Sequence, residues 1–130
     1  KLAETDPLPI HIEAEEDIDK SLDEEAQGAL FYIIEEAITN ARKHAEATDL
    51  WIRFYRQGTM NMIVEVEDNG KGFDFTAVQE NYEERGSLGM MNLRERASLA
   101  GGKTVIKSTP GKGTKITVTM PTKDEFEPYA

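Results

Sequence analysis

Polar side chains occur on the first predicted helix of this 130-residue chain at positions that could bind a metal ion. At 100° per residue, Glu36, Asn40 and Lys43 fall within one narrow sector, and His44 lies beside them on the last turn. Oxygens from Glu36 and Asn40 could bind Mg²⁺, with waters and phosphates as its other ligands. Taken alone, however, the spacing favours an ordinary i, i+4 polar pair on a solvated face.

Asp68 is a second candidate, because it has the strand parity of the apolar positions between Met60 and Val66 and therefore points toward the core. A buried carboxylate requires a hydrogen-bond donor, and the exocyclic amine of a base such as adenine fits that need. Gly70 and Gly72 would then let the backbone approach the ring. The alternative is that the Asp-Asn-Gly run is only a turn, since Asn-Gly is common in hairpins.

Two weaker candidates follow along the chain. The run from Gly86 to Met90, with the sequence GSLGM, leads into a second predicted helix, where free backbone amides could bind a phosphate group. A flexible loop that ends in a helix is the alternative. Thr114 has the parity of Ile116 and Val118, so its hydroxyl is expected to face inward as well. Threonine is common in strands, and Thr114 alone therefore decides nothing.

Apolar periodicity predicts the helices that position these candidates. A capping box at Ser21 and Glu24 opens a helix that runs to about His44. Its apolar stripe is Leu22, Ala26, Ala29, Leu30, Ile33, Ala37 and Ala41. A second helix is predicted from about Met91 to Ala100, and the polar, glycine-containing segment before it, residues 69–88, is predicted to be a long mobile loop.

Alternating apolar residues predict the strands. They are Leu8–Ala14, Leu50–Tyr55, Met60–Val66, Lys103–Ser108 and Thr114–Met120. The first is expected at a strand start or sheet edge with one face buried, and the second and third form an antiparallel hairpin around a turn at Gln57-Gly58. Together the elements predict an α+β fold, a two-layer sandwich of helices on one face of a mixed sheet of about five strands.

The net charge of the chain is −10, and the whole acidic excess lies in the first 36 residues. An acidic chain lacks the basic stripe that nucleic acid requires, so we expect no nucleic-acid partner, and the acidic end should meet solvent or a basic protein surface. The chain has no cysteine, which excludes a disulfide framework and a thiolate nucleophile, and a cytoplasmic location is expected. We find no apolar run of the roughly 18 residues that a membrane span needs.

Length and a hydrophobic fraction of 38% predict one domain. We assign residues 1–7 to a linker, residues 8–121 to the domain, and residues 122–130 to a C-terminal tail that frays. Because the chain does not begin with Met, we expect it to be a domain excised from a longer protein.

Four motifs, taken in order, closely resemble the ATP-binding domain of bacterial sensor histidine kinases. They are Glu36–Ala45, Asp68–Phe73, Gly86–Met90 and Gly111–Thr114. Within that group the chain is most similar to the subfamily that pairs with LuxR-type response regulators. The resemblance spans about residues 8–121 and implies the GHKL ATPase fold that type II topoisomerases, mismatch-repair ATPases and a heat-shock chaperone share.

The resemblance also implies roles for individual residues. Asn40 matches the Mg²⁺-binding asparagine and Glu36 the acid one helical turn before it, which makes these two the expected catalytic residues. Asp68 matches the aspartate that reads adenine, and Thr114 the threonine that supports the same base. The residues that the resemblance places at the nucleotide are Asn40, Lys43, His44, Asp68, Gly70, Gly72, Gly86, Leu88, Gly89, Met90 and Thr114.

The lid over the nucleotide is implied at residues 73–88, with Arg85 as a basic residue on it. One departure is Asn92, which stands where the subfamily usually has a further glycine.

The implied activity is a protein-histidine kinase catalytic domain that binds ATP and Mg²⁺. It would transfer the γ-phosphate to a histidine on a separate dimerisation domain, since neither His11 nor His44 resembles the acceptor. The expected partners are that domain and a response regulator with a LuxR-type output domain, without direct membrane contact. Two alternatives remain: a protein-serine kinase of the anti-sigma type with the same fold, and a nucleotide-independent interaction module with an acidic face.

Overall fold

A computed structural model of the chain describes residues 8–16, 18–43, 45–72 and 87–122. In these residues a five-stranded sheet packs against helices on one face, so the predicted α+β two-layer sandwich is confirmed. The elements are β1 (Ile10–Ala14), a short 3-10 helix (Ile18–Ser21), α1 (Glu24–Lys43), β2 (Leu50–Gln57), β3 (Asn61–Asp68), α2 (Ser87–Leu99), β4 (Lys103–Thr109) and β5 (Gly113–Pro121). No helix in the described part of the chain is long and apolar enough to cross a lipid bilayer.

The sheet is mixed, with the strand order β1-β2-β3-β5-β4. β1 pairs with β2 in parallel, and the other three pairs are antiparallel. The parallel pair requires a crossover, and α1 supplies it because it lies between β1 and β2 in the chain. The predicted antiparallel hairpin of β2 and β3 is confirmed, and β3 is the central strand of the sheet.

α1 has the predicted apolar stripe but not the predicted cap. All seven residues of the stripe are buried. The capping box at Ser21 and Glu24 is wrong: Asp23 is the N-cap, and its Oδ1 accepts a hydrogen bond of 2.8 Å from the Ala26 amide. Ser21 belongs to the preceding 3-10 helix, where its buried hydroxyl donates to the Ile18 carbonyl at 2.7 Å and is not available to cap α1.

β1 is a strand as predicted, but its expected buried face is wrong. Every residue of β1 is exposed, and Ile12 retains 65% of its accessible surface. The reason is that β1 is an edge strand, whereas α1 packs over the central strand β3 and against α2. Leu8, just before the strand, is the residue of the predicted pattern that is buried.

The turn between β2 and β3 is longer than predicted. It occupies residues 58–60, so Met60 lies outside β3 and is 67% exposed rather than inward-facing. Gly58 takes a left-handed φ of 68°, which only glycine adopts without strain. Thr122 fastens this turn: its amide donates to the Met60 carbonyl at 2.9 Å and its hydroxyl to the Thr59 carbonyl at 2.7 Å.

α2 begins at Ser87, four residues before the predicted start at Met91. The predicted loop over residues 69–88 was therefore too long at its C-terminal end, because serine, leucine and methionine continue the helix and its single glycine does not prevent it. Leu93 and Ala97 are buried against α1, and the Arg96 guanidinium lies 4.2 Å from the centre of the Tyr32 ring on α1. Residues 73–86 lie outside the described residues.

Candidate functional site

Three polar side chains form a row across neighbouring strands on the helix-covered face of the sheet. Asp68 on β3 pairs with Thr114 on β5, and Thr114 pairs with Ser108 on β4. Asp68 is 7% exposed and Thr114 is 4% exposed, so the predicted inward orientation of both is confirmed. Among the described residues the only other buried polar side chain is Ser21, which is part of the 3-10 helix. We call Asp68, Thr114 and Ser108 the polar row.

The Asp68 carboxylate is held by backbone amides. The Gly70 amide donates to its Oδ1 at 2.8 Å, and the Thr114 amide donates to the same carboxylate. Burial raises the pKa of Asp68 above its ordinary value, and these two donors only partly oppose that shift, while the charge of Glu67 adds to it. Two amides do not use all the lone pairs of a carboxylate, so Asp68 can still accept a proton donor such as an amine.

The turn alternative for Asp68 is compatible with this role. The hydrogen bond to Gly70 is the local bond that an Asp-x-Gly turn makes. It fixes one oxygen of the carboxylate and leaves the remaining acceptor positions for a ligand. The turn therefore orients the Asp68 side chain, and it does not exclude ligand binding by the same carboxylate.

Ser108 is the member of the polar row that sequence reasoning missed. Its Oγ lies 2.8 Å from the Thr114 Oγ1 and 3.2 Å from the Gly113 carbonyl oxygen. Serine in a strand is an ordinary residue, and its parity with Ile106 was the only signal in the sequence. Placing Ser108 opposite Thr114 requires the register of the β4–β5 hairpin, which the three-residue turn from Pro110 to Lys112 determines.

The glycines near Asp68 are explained by close packing of the chain on itself. A Cβ on Gly70 would lie only 2.5 Å from Ala45, whose carbonyl accepts the Lys71 amide at 2.8 Å. Gly72 has a left-handed φ of 67°, and a Cβ there would collide with the Thr109 carbonyl. The predicted approach of these glycines to a ring remains a prediction.

Asn69 joins the end of β3 to the loop that follows α1. Its Oδ1 accepts the amides of Thr48 and Asp49, both at 3.0 Å, and its Nδ2 donates to the Thr48 hydroxyl at 2.8 Å. Both the oxygen and the nitrogen of the Asn69 side chain are thereby hydrogen-bonded. Asn69 therefore holds the chain beyond α1 next to Asp68.

The polar sector of α1, formed by Glu36, Asn40 and Lys43, lies between the buried stripe of the helix and solvent. Glu36 and Asn40 are half-buried and Lys43 is exposed. The Asn40 carbonyl accepts the Ala45 amide at 3.1 Å, and the Ala45 carbonyl in turn accepts the Lys71 amide. The C-terminal end of α1, with Asn40, is thus linked to the segment that follows Asp68.

The remaining predicted site residues are described only in part or not at all. Leu88, Gly89 and Met90 lie in the first turn of α2, where the amides of Leu88 and Gly89 have no acceptor within the helix. Gly86 and His44 lie outside the described residues. In the described ranges no group of three His, Cys, Asp or Glu side chains is arranged to hold a metal ion, so a metal held by Asn40 would take most of its ligands from water and phosphate.

Residues 25–124 of the chain match the protein family described as histidine kinase-, DNA gyrase B- and HSP90-like ATPase. The chain is 50% identical over 106 residues to an uncharacterised sensor-like histidine kinase of Chloroflexus aurantiacus, covering 81% of this chain and 18% of that protein. It is 41% identical over 97 residues to the sensor histidine kinase YdfH of Bacillus subtilis, covering 75% of this chain and 23% of that protein. The chain therefore spans about a fifth of the length of these relatives.

Solved structures share the fold. The histidine kinase domain of the blue-light activated histidine kinase from Erythrobacter litoralis aligns with a TM-score of 0.69 and 22% identity, over 88% of this chain and 54% of that chain. The ATP-binding domain of PrrB from Mycobacterium tuberculosis aligns with a TM-score of 0.61 and 25% identity, over 75% of this chain and 69% of that chain. Both likenesses extend over most of the described sheet and helices.

Proposed function

The chain belongs to the histidine kinase-, DNA gyrase B- and HSP90-like ATPase family, and on that premise we propose that it binds Mg-ATP and donates the γ-phosphate to a histidine. The acceptor would be carried by a dimerisation domain of the same kinase. The observation that supports this proposal best is the buried carboxylate of Asp68 beside Thr114, at the end of a sheet face that is otherwise mainly apolar.

Asp68 and Thr114 would recognise the adenine base. Adenine carries an amine, which donates hydrogen bonds, next to the ring nitrogen N1, which accepts one. The carboxylate of Asp68 accepts from the amine, and the hydroxyl of Thr114 can donate toward N1, directly or through one water. Guanine has a carbonyl where adenine has the amine, so it would place an acceptor against the Asp68 carboxylate, and the site should reject it.

Asn40 would bind the Mg²⁺ ion, with Glu36 one turn earlier orienting its water shell. A single half-buried carboxamide fits Mg²⁺, which keeps several waters and takes further oxygens from phosphates. When bound, the ion neutralises charge on the phosphates. Glu36 is half-buried on the same side of α1, which suits a role through water rather than direct proton abstraction.

Phosphoryl transfer needs chiefly positioning and charge neutralisation, and the other residues would supply them. Lys43, exposed at the end of α1, carries a mobile positive charge toward the phosphates. The free amides of Leu88 and Gly89 on the first turn of α2 would donate to phosphate oxygens, with Met90 next to them. His44 and Gly86 would complete this set.

The acceptor histidine would lie outside this chain. His11 is on the exposed edge strand, its Nε2 lies 2.9 Å from Asp49 Oδ1, and its ring stacks on Trp51 at 5.6 Å. These partners hold its ring in place, which does not suit a phosphoacceptor. We propose that the full-length kinase acts in the cytoplasm on a response regulator with a LuxR-type output domain, in line with the relatives that are sensor kinases.

Calorimetric titration of the chain with ATP, with and without Mg²⁺, tests the first half of the proposal. Micromolar to millimolar binding that weakens when Mg²⁺ is removed is expected, whereas no heat of binding under either condition would contradict it. Incubation with radiolabelled ATP and the dimerisation domain of the same kinase tests the second half. Transfer should produce an acid-labile, base-stable label on that domain, as a phosphohistidine requires, and an acid-stable label would indicate a serine acceptor instead.

A further inference from the structure

Ser108 is the member of the polar row whose hydroxyl the proposed adenine site does not use. Ser108 is half-buried on β4, and its Oγ lies 2.8 Å from the Thr114 Oγ1. The Gly113 carbonyl, at 3.2 Å, is a second acceptor for the Ser108 hydrogen. A hydroxyl has one hydrogen to donate, so it can serve only one of these two oxygens fully at a time.

The acceptor to which the Ser108 hydroxyl donates determines whether Thr114 presents a hydrogen-bond donor or only acceptors to a ligand. If Ser108 donates to Gly113, then Thr114 donates to Ser108 and offers only lone pairs to the site. If Ser108 donates to Thr114, the hydrogen of Thr114 is released and can point into the site. Only the second arrangement complements a base edge that has an acceptor next to its amine, as the N1 position of adenine does.

The backbone around Gly113 keeps this geometry fixed. Gly113 has a φ of 89°, and a Cβ there would collide with the Asp68 carbonyl, so only glycine brings β5 this close to β3. The Thr114 amide is used by the Asp68 carboxylate. Thr114 therefore stands beside Asp68 in the sheet, and its hydroxyl contacts Ser108 at 2.8 Å.

We propose, on the premise of the adenine site inferred above, that Ser108 is a positioning residue that sets Thr114 as a hydrogen-bond donor to the N1 edge of the base. Ser108 does not contact the nucleotide itself. It donates to Thr114 when adenine is bound and exchanges that bond for the longer one to the Gly113 carbonyl when a base without an N1 acceptor is offered. Selectivity for the N1 acceptor thus depends on a residue one strand away from the base.

The test compares ATP with 1-deaza-ATP, in which the N1 nitrogen is replaced by C–H while the amine is kept. Dissociation constants are measured by calorimetry for the wild-type chain and for Ser108→Ala. The variant should bind ATP about 3- to 10-fold more weakly, the value expected for one neutral hydrogen bond, and should bind 1-deaza-ATP within about 2-fold of the wild type. Ser108→Thr, which keeps the hydroxyl, should restore ATP binding.

Two controls separate positioning from a general loss of structure. Ser98→Ala makes the same replacement at an exposed position of α2 and should leave both constants unchanged. In a Thr114→Val background, Ser108→Ala should change ATP affinity less than about 2-fold, because the hydroxyl that it orients is gone. This second comparison also remains informative if Ser108→Ala is less stable.

The outcomes are distinct. Equal losses for ATP and 1-deaza-ATP in Ser108→Ala, or no loss for either, would overturn the positioning role while leaving ATP binding by the wild type intact. Additive losses in the Thr114→Val background would overturn it too. Failure of the wild-type chain to bind ATP at all would overturn the proposed nucleotide function, and the role of Ser108 with it.

Discussion

Asp68 is a carboxylate in a place that favours its neutral form. Burial raises its pKa, so the charged state at neutral pH costs folding stability that an apolar residue would not cost. On the proposed function, an amine of the ligand would offset part of this loss, because it would add a hydrogen bond to the charged acceptor. The proposed recognition of adenine would therefore account for a charged group at this buried position.

We predict that Asp68→Asn weakens ATP binding by roughly 10- to 100-fold, the range for losing a hydrogen bond to a charged group. Asparagine would present both a donor and an acceptor to the adenine amine. Calorimetric titration with Mg-ATP measures the effect, and Glu13→Gln, which removes an exposed carboxylate on β1, is the control. Equal affinities in wild type and Asp68→Asn would show that Asp68 does not contact the base.

At the scale of elements, α1 depends on its first turn. The Asp23 carboxylate caps the helix through the Ala26 amide at 2.8 Å, whereas Glu24 does not take part in a capping box. We predict that Asp23→Ala lowers the free energy of unfolding by about 1 kcal/mol. Glu24→Ala should lower the free energy of unfolding less than Asp23→Ala does. Urea denaturation of both variants measures the two losses, and a larger loss for Glu24→Ala would support the capping-box hypothesis.

The join between α1 and β3 depends on one side chain. Asn69 makes three hydrogen bonds to Thr48 and Asp49, two of them through its Oδ1. We predict that Asn69→Ala lowers the free energy of unfolding by about 1 kcal/mol, because the two exposed loop amides exchange their acceptor for water. Asn69→Asp keeps that acceptor and should cost less in urea denaturation. If both variants lose the same amount, the Oδ1 contacts are not what stabilises this loop.

The main elements could be predicted from the sequence because each carries its own periodicity. The α1 stripe and the inward parity of Asp68 and Thr114 depend only on local repeats, and the structure confirms them. Ser108 could not be found, because its partner is set by hairpin register. The exposure of Ile12 could not be found either, because it depends on which strands the helices cover. Local sequence patterns thus predict the helices, the strands and the direction of most side chains. Which residues become neighbours depends on tertiary packing.

At the scale of the whole molecule, the face of the sheet opposite the helices carries a charged cluster in place of a second apolar layer. The Arg53 Nη1 lies 3.2 Å from both Glu65 and Glu67, and the Tyr55 hydroxyl donates to Glu65 at 2.9 Å. Lys115 on β5 approaches Glu65 at 3.7 Å. The cluster therefore links three strands, β2, β3 and β5, without contributing to the apolar core.

This cluster should make stability depend on acid. Burial alone would raise the pKa of Glu65, but the Tyr55 hydroxyl and the charges of Lys115 and Arg53 outweigh it and lower the pKa below its ordinary value. The stabilisation is therefore present above about pH 4.5 and is lost as the pH falls through the lowered folded-state pKa. We predict that Glu65→Gln lowers the free energy of unfolding at pH 7 by about 1 kcal/mol.

Urea denaturation at several pH values measures this difference. The gap between wild type and Glu65→Gln should shrink as the pH falls through the lowered pKa of the wild-type carboxylate, which then takes up its proton. Glu13→Gln, an exposed acid on β1, is the control and should show little effect at any pH. A gap that is independent of pH would mean that the charge of Glu65 is not what stabilises the sheet.

The exposed edge strand has a consequence for the order in which the molecule opens. In the described part of the chain, β1 buries little surface and pairs with β2 alone. Pairs such as Ile10 with Leu50 close a loop that contains all of α1. Detachment of β1 should therefore need less free energy than global unfolding. In native-state hydrogen exchange at low urea, amides of β1 should exchange through a local opening whose free energy is nearly independent of denaturant. Amides of β3 should exchange only on complete unfolding. Identical denaturant dependence in β1 and β3 would mean that the edge strand is part of one cooperative unit with the rest of the sheet.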